Sequence, residues 1–151
     1  MVRDISGKHS GYFEAVLQLR EISNQIYQTA KTELRDAKIH LAKEKKLKNG
    51  YDLYLGDSKY AQKIGKKLQK EFGGEVKITA SLFGQQDGKE IYRVTVLFRG
   101  VSFKKGNLVE FEGEKYTVVY MAKNDLLLQK EEGGEKIHLK YKEINKIKAV
   151  S

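Results

Sequence analysis

GEVKITASLFGQQDGKEIYRVTVLFR, residues 74–99, reads as two strands whose apolar faces have to agree. Val76, Ile78, Ala80 and Leu82 alternate with polar residues in the first half, and Tyr92, Val94, Val96 and Phe98 do so in the second. That is the period-2 pattern of half-buried strands. A one-residue slip in pairing moves every side chain to the other face, so turn length decides the fold of the pair. A two-residue Asp87-Gly88 turn opposes Ile78 to Leu97 and Leu82 to Arg93, which splits the apolar sets. A three-residue loop, Gln86-Asp87-Gly88 with Gly88 left-handed, opposes Ile78 to Val96, Ala80 to Val94 and Leu82 to Tyr92. The alternation therefore predicts the three-residue loop, with Lys77, Thr79, Ser81, Arg93, Thr95 and Arg99 on the second face.

Upstream, YFEAVLQLR (12–20) alternates in the same way, with Phe13, Ala15, Leu17 and Leu19 on one face of a first strand. Ile22, Ile26, Ala30, Leu34, Ala37 and Leu41 then recur at three- or four-residue steps. They predict one long amphipathic helix that ends in Lys43, Lys45, Lys46 and Lys48 and stops at Asn49-Gly50. YDLYL (51–55) is a short strand, and Asp57 or Ser58 caps a second helix that Gly73 ends. Residues 1–99 thus read as a βαβαββ domain, a mixed sheet with helices on its apolar side.

Residues 100–151 have a different cadence. NLVEFEG, EKYTVVYM, DLLLQK and EKIHLKY are separated by Gly, Asn and acidic turns, and KEINKIKAV closes the chain. This is the rhythm of a small five-strand SH3-like β-barrel, so the fold class expected is α+β, with a junction in FRGVSFKKGN.

Charge divides the chain at the same place. Residues 1–99 carry 19 basic and 12 acidic side chains, residues 100–151 carry 10 and 8, and the whole 151-residue chain has a net charge of +9. A field of that sign favours polyanions. On the second helix, at about 100° per residue, Lys59, Lys63, Lys66, Lys67 and Lys70 fall within about a quarter turn of one another. Tyr60, Ala61, Ile64, Leu68 and Phe72 gather opposite them. Such a stripe is either a solvated face or a row of phosphate ligands.

Several chemistries lack their residues. Cysteine is absent, which removes disulfides, thiol nucleophiles and cysteine-built zinc sites. His9, His40 and His138 have no partner at metal-ligand spacing. There is no phosphate-binding G-x-x-x-x-G-K-[ST], G-x-S-x-G or H-E-x-x-H motif, so neither an enzyme, a metal, a cofactor nor a small-molecule substrate is expected. IGKK (64–67) starts like a KH-type loop, but Leu68 stands where the second glycine belongs. No run approaches the roughly 18 apolar residues of a membrane span, and a cytoplasmic protein is expected.

GYFEAVLQLR (11–20), GYDLYLGDSKYAQKIGKKLQKEFGGEVKITASLFG (50–84) and DGKEIYRVTVLFR (87–99) resemble, in order, the core of the NMD-three family of large-ribosomal-subunit export adapters, and the archaeal type in particular. The resemblance implies a factor of late large-subunit assembly whose partners are ribosomal RNA and ribosomal proteins. It also implies a barrel similar to that of the hypusine-bearing translation factor. Family members begin with a cysteine-built zinc module, which this sequence cannot make. It is expected to be either a piece of a longer protein or a member without the module.

Geometry and charge together nominate Lys59, Lys63, Lys66, Lys67 and Lys70 as RNA ligands, joined by Lys43, Lys45 and Lys46 at the end of the first helix. Arg93 and Arg99 on the sheet face are either further contacts or solvated and acid-paired. Lys104 and Lys105 either reach a phosphate or keep the junction soluble. Tyr12, Tyr51 and Tyr54 could stack bases or pack at the rim of the core. The competing function is a protein-interaction adapter whose barrel docks a translation-related partner while the lysines only solubilise it.

Overall fold

The computed structural model describes residues 11–101, 103–121, 125–140, 143 and 146–150. His9 and Ser102 lie outside these residues, as do parts of the predicted closing segment. Among the described residues the chain builds two five-stranded sheets. The first comprises β1 (Ala15–Arg20), β2 (Leu41–Leu47), β3 (Gly50–Leu55), β4 (Glu75–Gln86) and β5 (Lys89–Arg99), in the spatial order β2-β3-β1-β5-β4. Two helices, α1 (Asn24–Asp36) and α2 (Ser58–Phe72), fall between its strands. Only β1 and β5 run parallel, and the other neighbours are antiparallel.

Alternation sets the core. Leu17 lies between Leu53 of β3 and Val96 of β5, and Leu19 between Tyr51 and Phe98. These side chains pack with Ile26, Ala30 and Leu34 of α1 and with Ala61, Ile64 and Leu68 of α2. Both helices thus bury one stripe on one face of the sheet. Gly65 lies in that stripe because a Cβ there would stand 2.6 Å from Cγ1 of Val96. The glycine of IGKK therefore serves close helix–sheet packing.

The register of β4 and β5 is the expected one, Ile78 opposite Val96, Ala80 opposite Val94 and Leu82 opposite Tyr92. It arises differently. The turn has two residues, Asp87 and Gly88, both at positive φ, and Phe83 bulges out of β4 between Leu82 and Gly84. One extra strand residue does what an extra loop residue would have done.

The first helix is shorter than its apolar spacing predicts. α1 stops at Asp36, because Lys38 takes a left-handed conformation (φ 56°) and Ile39 and Lys38 donate back to the Leu34 and Arg35 carbonyls. That is a glycine-type helix stop made by a lysine. Residues 41–47 form edge strand β2 on β3, whose charged LAKEKKL sequence blocks further pairing. The order is thus βαββαββ, not βαβαββ. Gly50 opens β3 instead of closing a helix, and a Cβ on it would fall 1.7 Å from the Leu19 carbonyl oxygen. Phe13 does not share the Ala15 face either. A bend at Glu14 turns it against Tyr54 and Arg93 on the helix-free face.

The second sheet comprises β6 (Leu108–Phe111), β7 (Glu114–Met121), β8 (Asp125–Lys130), β9 (Lys136–Lys140) and β10 (Ile147–Ala149), in the order β10-β6-β7-β8-β9 and wholly antiparallel. Its own cluster, with Phe103, Val109, Val118, Leu126 and Leu128, is separate from the first. Among the described residues β9 and β10 are the two edges and do not pair, so hydrogen bonding does not close the expected barrel.

Candidate nucleic-acid interface

Two carboxylates hold the start of α2. Asp57 accepts from the Tyr60 amide at 2.9 Å, and the buried Glu14 accepts from the Ser58 amide at 3.0 Å. Acceptors at a helix N-terminus satisfy its free amides and its dipole. Glu14 comes from the bend before β1, so the helix is tied to the sheet at the end where its lysine face begins. At the other end Gly73 (φ 75°) donates to the Gln69 carbonyl at 2.8 Å.

On this clamped helix Lys59, Lys63, Lys66, Lys67 and Lys70 are all exposed. Lys67 differs from the rest: its ammonium is ion-paired with Glu33 of α1. That hydrogen bond holds the Glu33 carboxyl below its ordinary range, against the opposing effect of burial, and raises the Lys67 ammonium. Lys63 Nζ lies 5.6 Å from the Tyr60 ring centre, within cation–π reach. Lys59, Lys63, Lys66 and Lys70 have no ion pair among the described residues.

Four stripe lysines meet residues from beyond β5. A groove of about 1010 Å³ is lined by Lys63, Lys66, Lys67 and Lys70 of α2 together with Lys104 and Lys105. Phe72, Phe103 and Met121 supply apolar lining, and among the described residues Glu71 is its one acidic residue. The Lys104 amide donates to the Asn107 side chain at 2.8 Å, which shapes the turn that carries both lysines. Lys59 lies outside this lining.

The remaining candidates stand elsewhere. Lys43 and Lys45 project from β2 on the helix-free face of the first sheet, opposite Tyr54 and Asp52, while Lys46 projects to the helix side opposite Tyr51. The three thus do not share one helix face. Arg99 is 3.8 Å from Glu75, the acid pairing weighed from the sequence. The Arg93 guanidinium lies between the rings of Phe13 and Phe83, its carbon 3.8 and 3.6 Å from their centres. Tyr51 stacks on Tyr27 at 4.1 Å, Tyr54 meets Phe13, and the Tyr12 hydroxyl donates to Glu14. Sequence reading missed Phe83 and Phe13 as neighbours of Arg93, since neither the bulge nor the bend leaves a mark in the alternation.

The fold and the groove can be set beside known proteins. The second domain of NMD3 matches residues 12–99, which run from just before β1 to the end of β5. The chain belongs to the NMD3 family. The match covers the first sheet, both helices and the whole lysine stripe, while the second sheet and Lys104 and Lys105 fall outside it. Membership relates this NMD3-family chain to the large-subunit export adapter and associates it with ribosome biogenesis and the large ribosomal subunit. No curated protein matches its sequence. Among solved structures it is similar to a chain in the crystal structure of the MjSpt4:Spt5 complex. Identity there is 17%, over 90% of this chain and 96% of that one, and the TM-score of 0.29 is too low to carry a functional argument. Among the described residues no helix is long and apolar enough to cross a membrane, and no group of three or more His, Asp or Glu could hold a metal ion.

Proposed function

We propose that this NMD3-family chain is a non-enzymatic, cytoplasmic ribosome-associated factor. It binds the large ribosomal subunit during late assembly or quality control, through ribosomal RNA and ribosomal proteins, without a cofactor or small-molecule substrate. The observation that carries this reading is the groove lined by Lys63, Lys66, Lys67, Lys70, Lys104 and Lys105, with Glu71 the one acid in the lining among the described residues. Lysines on a clamped helix hold fixed spacings, and each phosphate they neutralise releases condensed counterions. Cations gathered around one groove suit a folded polyanion better than a flat charged face does. The segment after Arg99, read as an SH3-like unit, then has a role in the site, since Phe103, Lys104 and Lys105 help to line it.

The test is binding of a large-subunit RNA fragment across a salt series. Reversing Lys63, Lys66, Lys70, Lys104 and Lys105 to Glu should weaken binding by orders of magnitude at moderate salt. The slope of log affinity against log salt should flatten by a little under one unit for each lost duplex contact. An unchanged RNA affinity, together with salt-insensitive association with a ribosomal protein, would instead favour the adapter reading.

A further inference from the structure

The helix-free face of the first sheet carries a row of cations and rings with one member from each strand position. In spatial order the row is Lys43 on β2, Tyr54 on β3, Phe13 at the entry to β1, Arg93 on β5 and Phe83 on β4. Lys43 Nζ is 5.5 Å from the Tyr54 ring centre, and Tyr54 meets Phe13 nearly perpendicularly at 4.9 Å. Arg93 fills the space between Phe13 and Phe83 and buries its Nε without a hydrogen-bond partner. Both guanidinium faces are covered, so Arg93 positions Phe83 and offers no plane to a ligand. Phe83 ends the row at the bulge, 52% exposed despite its size. Bulges re-aim side chains, and this one presents a fixed aromatic ring to solvent.

Charge on the same face is unbalanced. Among the described residues its acids, Asp52 and Glu75, are taken by Arg20 at 2.7 Å and Arg99 at 3.8 Å. Lys43, Lys45 and Lys77 are exposed and have no ion pair among the described residues. An acidic peptide would use those cations but has no need of a rigid ring, and an apolar partner would use the ring but leave the cations unmatched. Unpaired nucleotides use both, a base on the ring and phosphates on the ammonium groups.

We infer that this face binds unpaired RNA, with a base stacked on Phe83 and the backbone tracking toward Lys77, Lys45 and Lys43. The inference takes only its class of partner from the ribosomal reading, since the surface lies on the other side of the sheet from the lysine groove. The experiment measures fluorescence anisotropy of a ten-nucleotide oligouridylate and of a ten-base-pair RNA duplex. Phe83→Ala should weaken oligouridylate binding about fivefold to a hundredfold, as loss of one stacked base does, with the salt slope and duplex binding unchanged. Phe83→Tyr, which keeps the ring, should restore it. The Glu-substituted groove variant should lose duplex affinity yet keep its dependence on Phe83. If that variant binds duplex like the parent while Phe83→Ala still loses the oligomer, the groove reading fails and this one stands. Equal oligouridylate binding by Phe83→Ala and the parent would overturn it, as would a parent with no measurable affinity for the oligomer.

Discussion

The ammonium of Lys67 is ion-paired with the Glu33 carboxylate, joining α2 to α1 from within a lysine row whose other members have no ion pair among the described residues. One member of the stripe is thereby partly committed to holding the two helices together. Lys67→Ala should lower the melting temperature slightly and shift RNA affinity little. Converting Lys59, Lys63, Lys66 and Lys70 to Glu should do the reverse, since Lys and Glu have similar helix propensities and the buried face is untouched. Circular dichroism melts and RNA titrations on both proteins check the contrast. The matched control reverses Lys115, Lys136, Lys140 and Lys148, all exposed on the second sheet, and should leave RNA affinity nearly unchanged.

The Tyr27 hydroxyl gives a pH-dependent prediction. Its hydrogen bond to Glu44, with burial and the Glu44 charge adding, pushes the phenol from 10.0 up to about 12. Below pH 10 the phenol is protonated whether the chain is folded or not. Between pH 10 and 12 the unfolded chain loses this proton while the folded chain keeps it, so stability falls as pH rises through that window. Urea unfolding at pH 9 and pH 11 should show a drop that Tyr27→Phe reduces. It should not abolish the drop, because Tyr60 and Tyr92 are raised as well.

Packing at Gly65 is the next test. Valine there would drive its Cβ into Cγ1 of Val96, so Gly65→Val should cost about 1–3 kcal/mol as overpacking does. The shorter Val96→Ala side chain should relieve part of that cost when combined with it. Denaturant titrations of the two single variants and the double variant measure the coupling.

Asp57 anchors the lysine helix. Asp57→Ala removes the acceptor for the Tyr60 amide and should cost about 0.5–2 kcal/mol, whereas Asp57→Asn should cost much less. Backbone amide exchange in the first turn of α2 should accelerate in the alanine variant before the rest of the sheet responds.

A protease should find the junction first if residues 1–99 and 100–151 are separate domains. Each sheet has its own apolar cluster, so cleavage between Arg99 and Gly106 should release two stable fragments. Early cleavage inside α2 with the junction intact would count against that division.

Periodicity alone determined much of this protein. The strand faces at Ala15, Leu17 and Leu19, the α2 caps at Asp57 and Gly73, the lysine stripe and the pairing of Ile78 with Val96 were all legible, because each depends on neighbours a few residues away or on an apolar alternation that admits one register, even though Ile78, Leu82 and Tyr92 stay exposed. Where the signal was non-local it misled. Ala37 and Leu41 keep helical spacing by coincidence, and nothing in the local sequence shows that Lys38 adopts a left-handed stop or that a lysine-rich strip becomes an edge strand on β3. The bulge at Phe83 accompanies the register of β4 on β5, and the bend at Glu14 accompanies its carboxylate's bond to the start of α2, both of them non-local partners. The meeting of the stripe with Lys104 and Lys105, and the enclosure of Arg93 by two rings, depend on chain segments far apart in sequence. Local spacing determines which face a side chain takes, and only the packed chain decides what stands across from it.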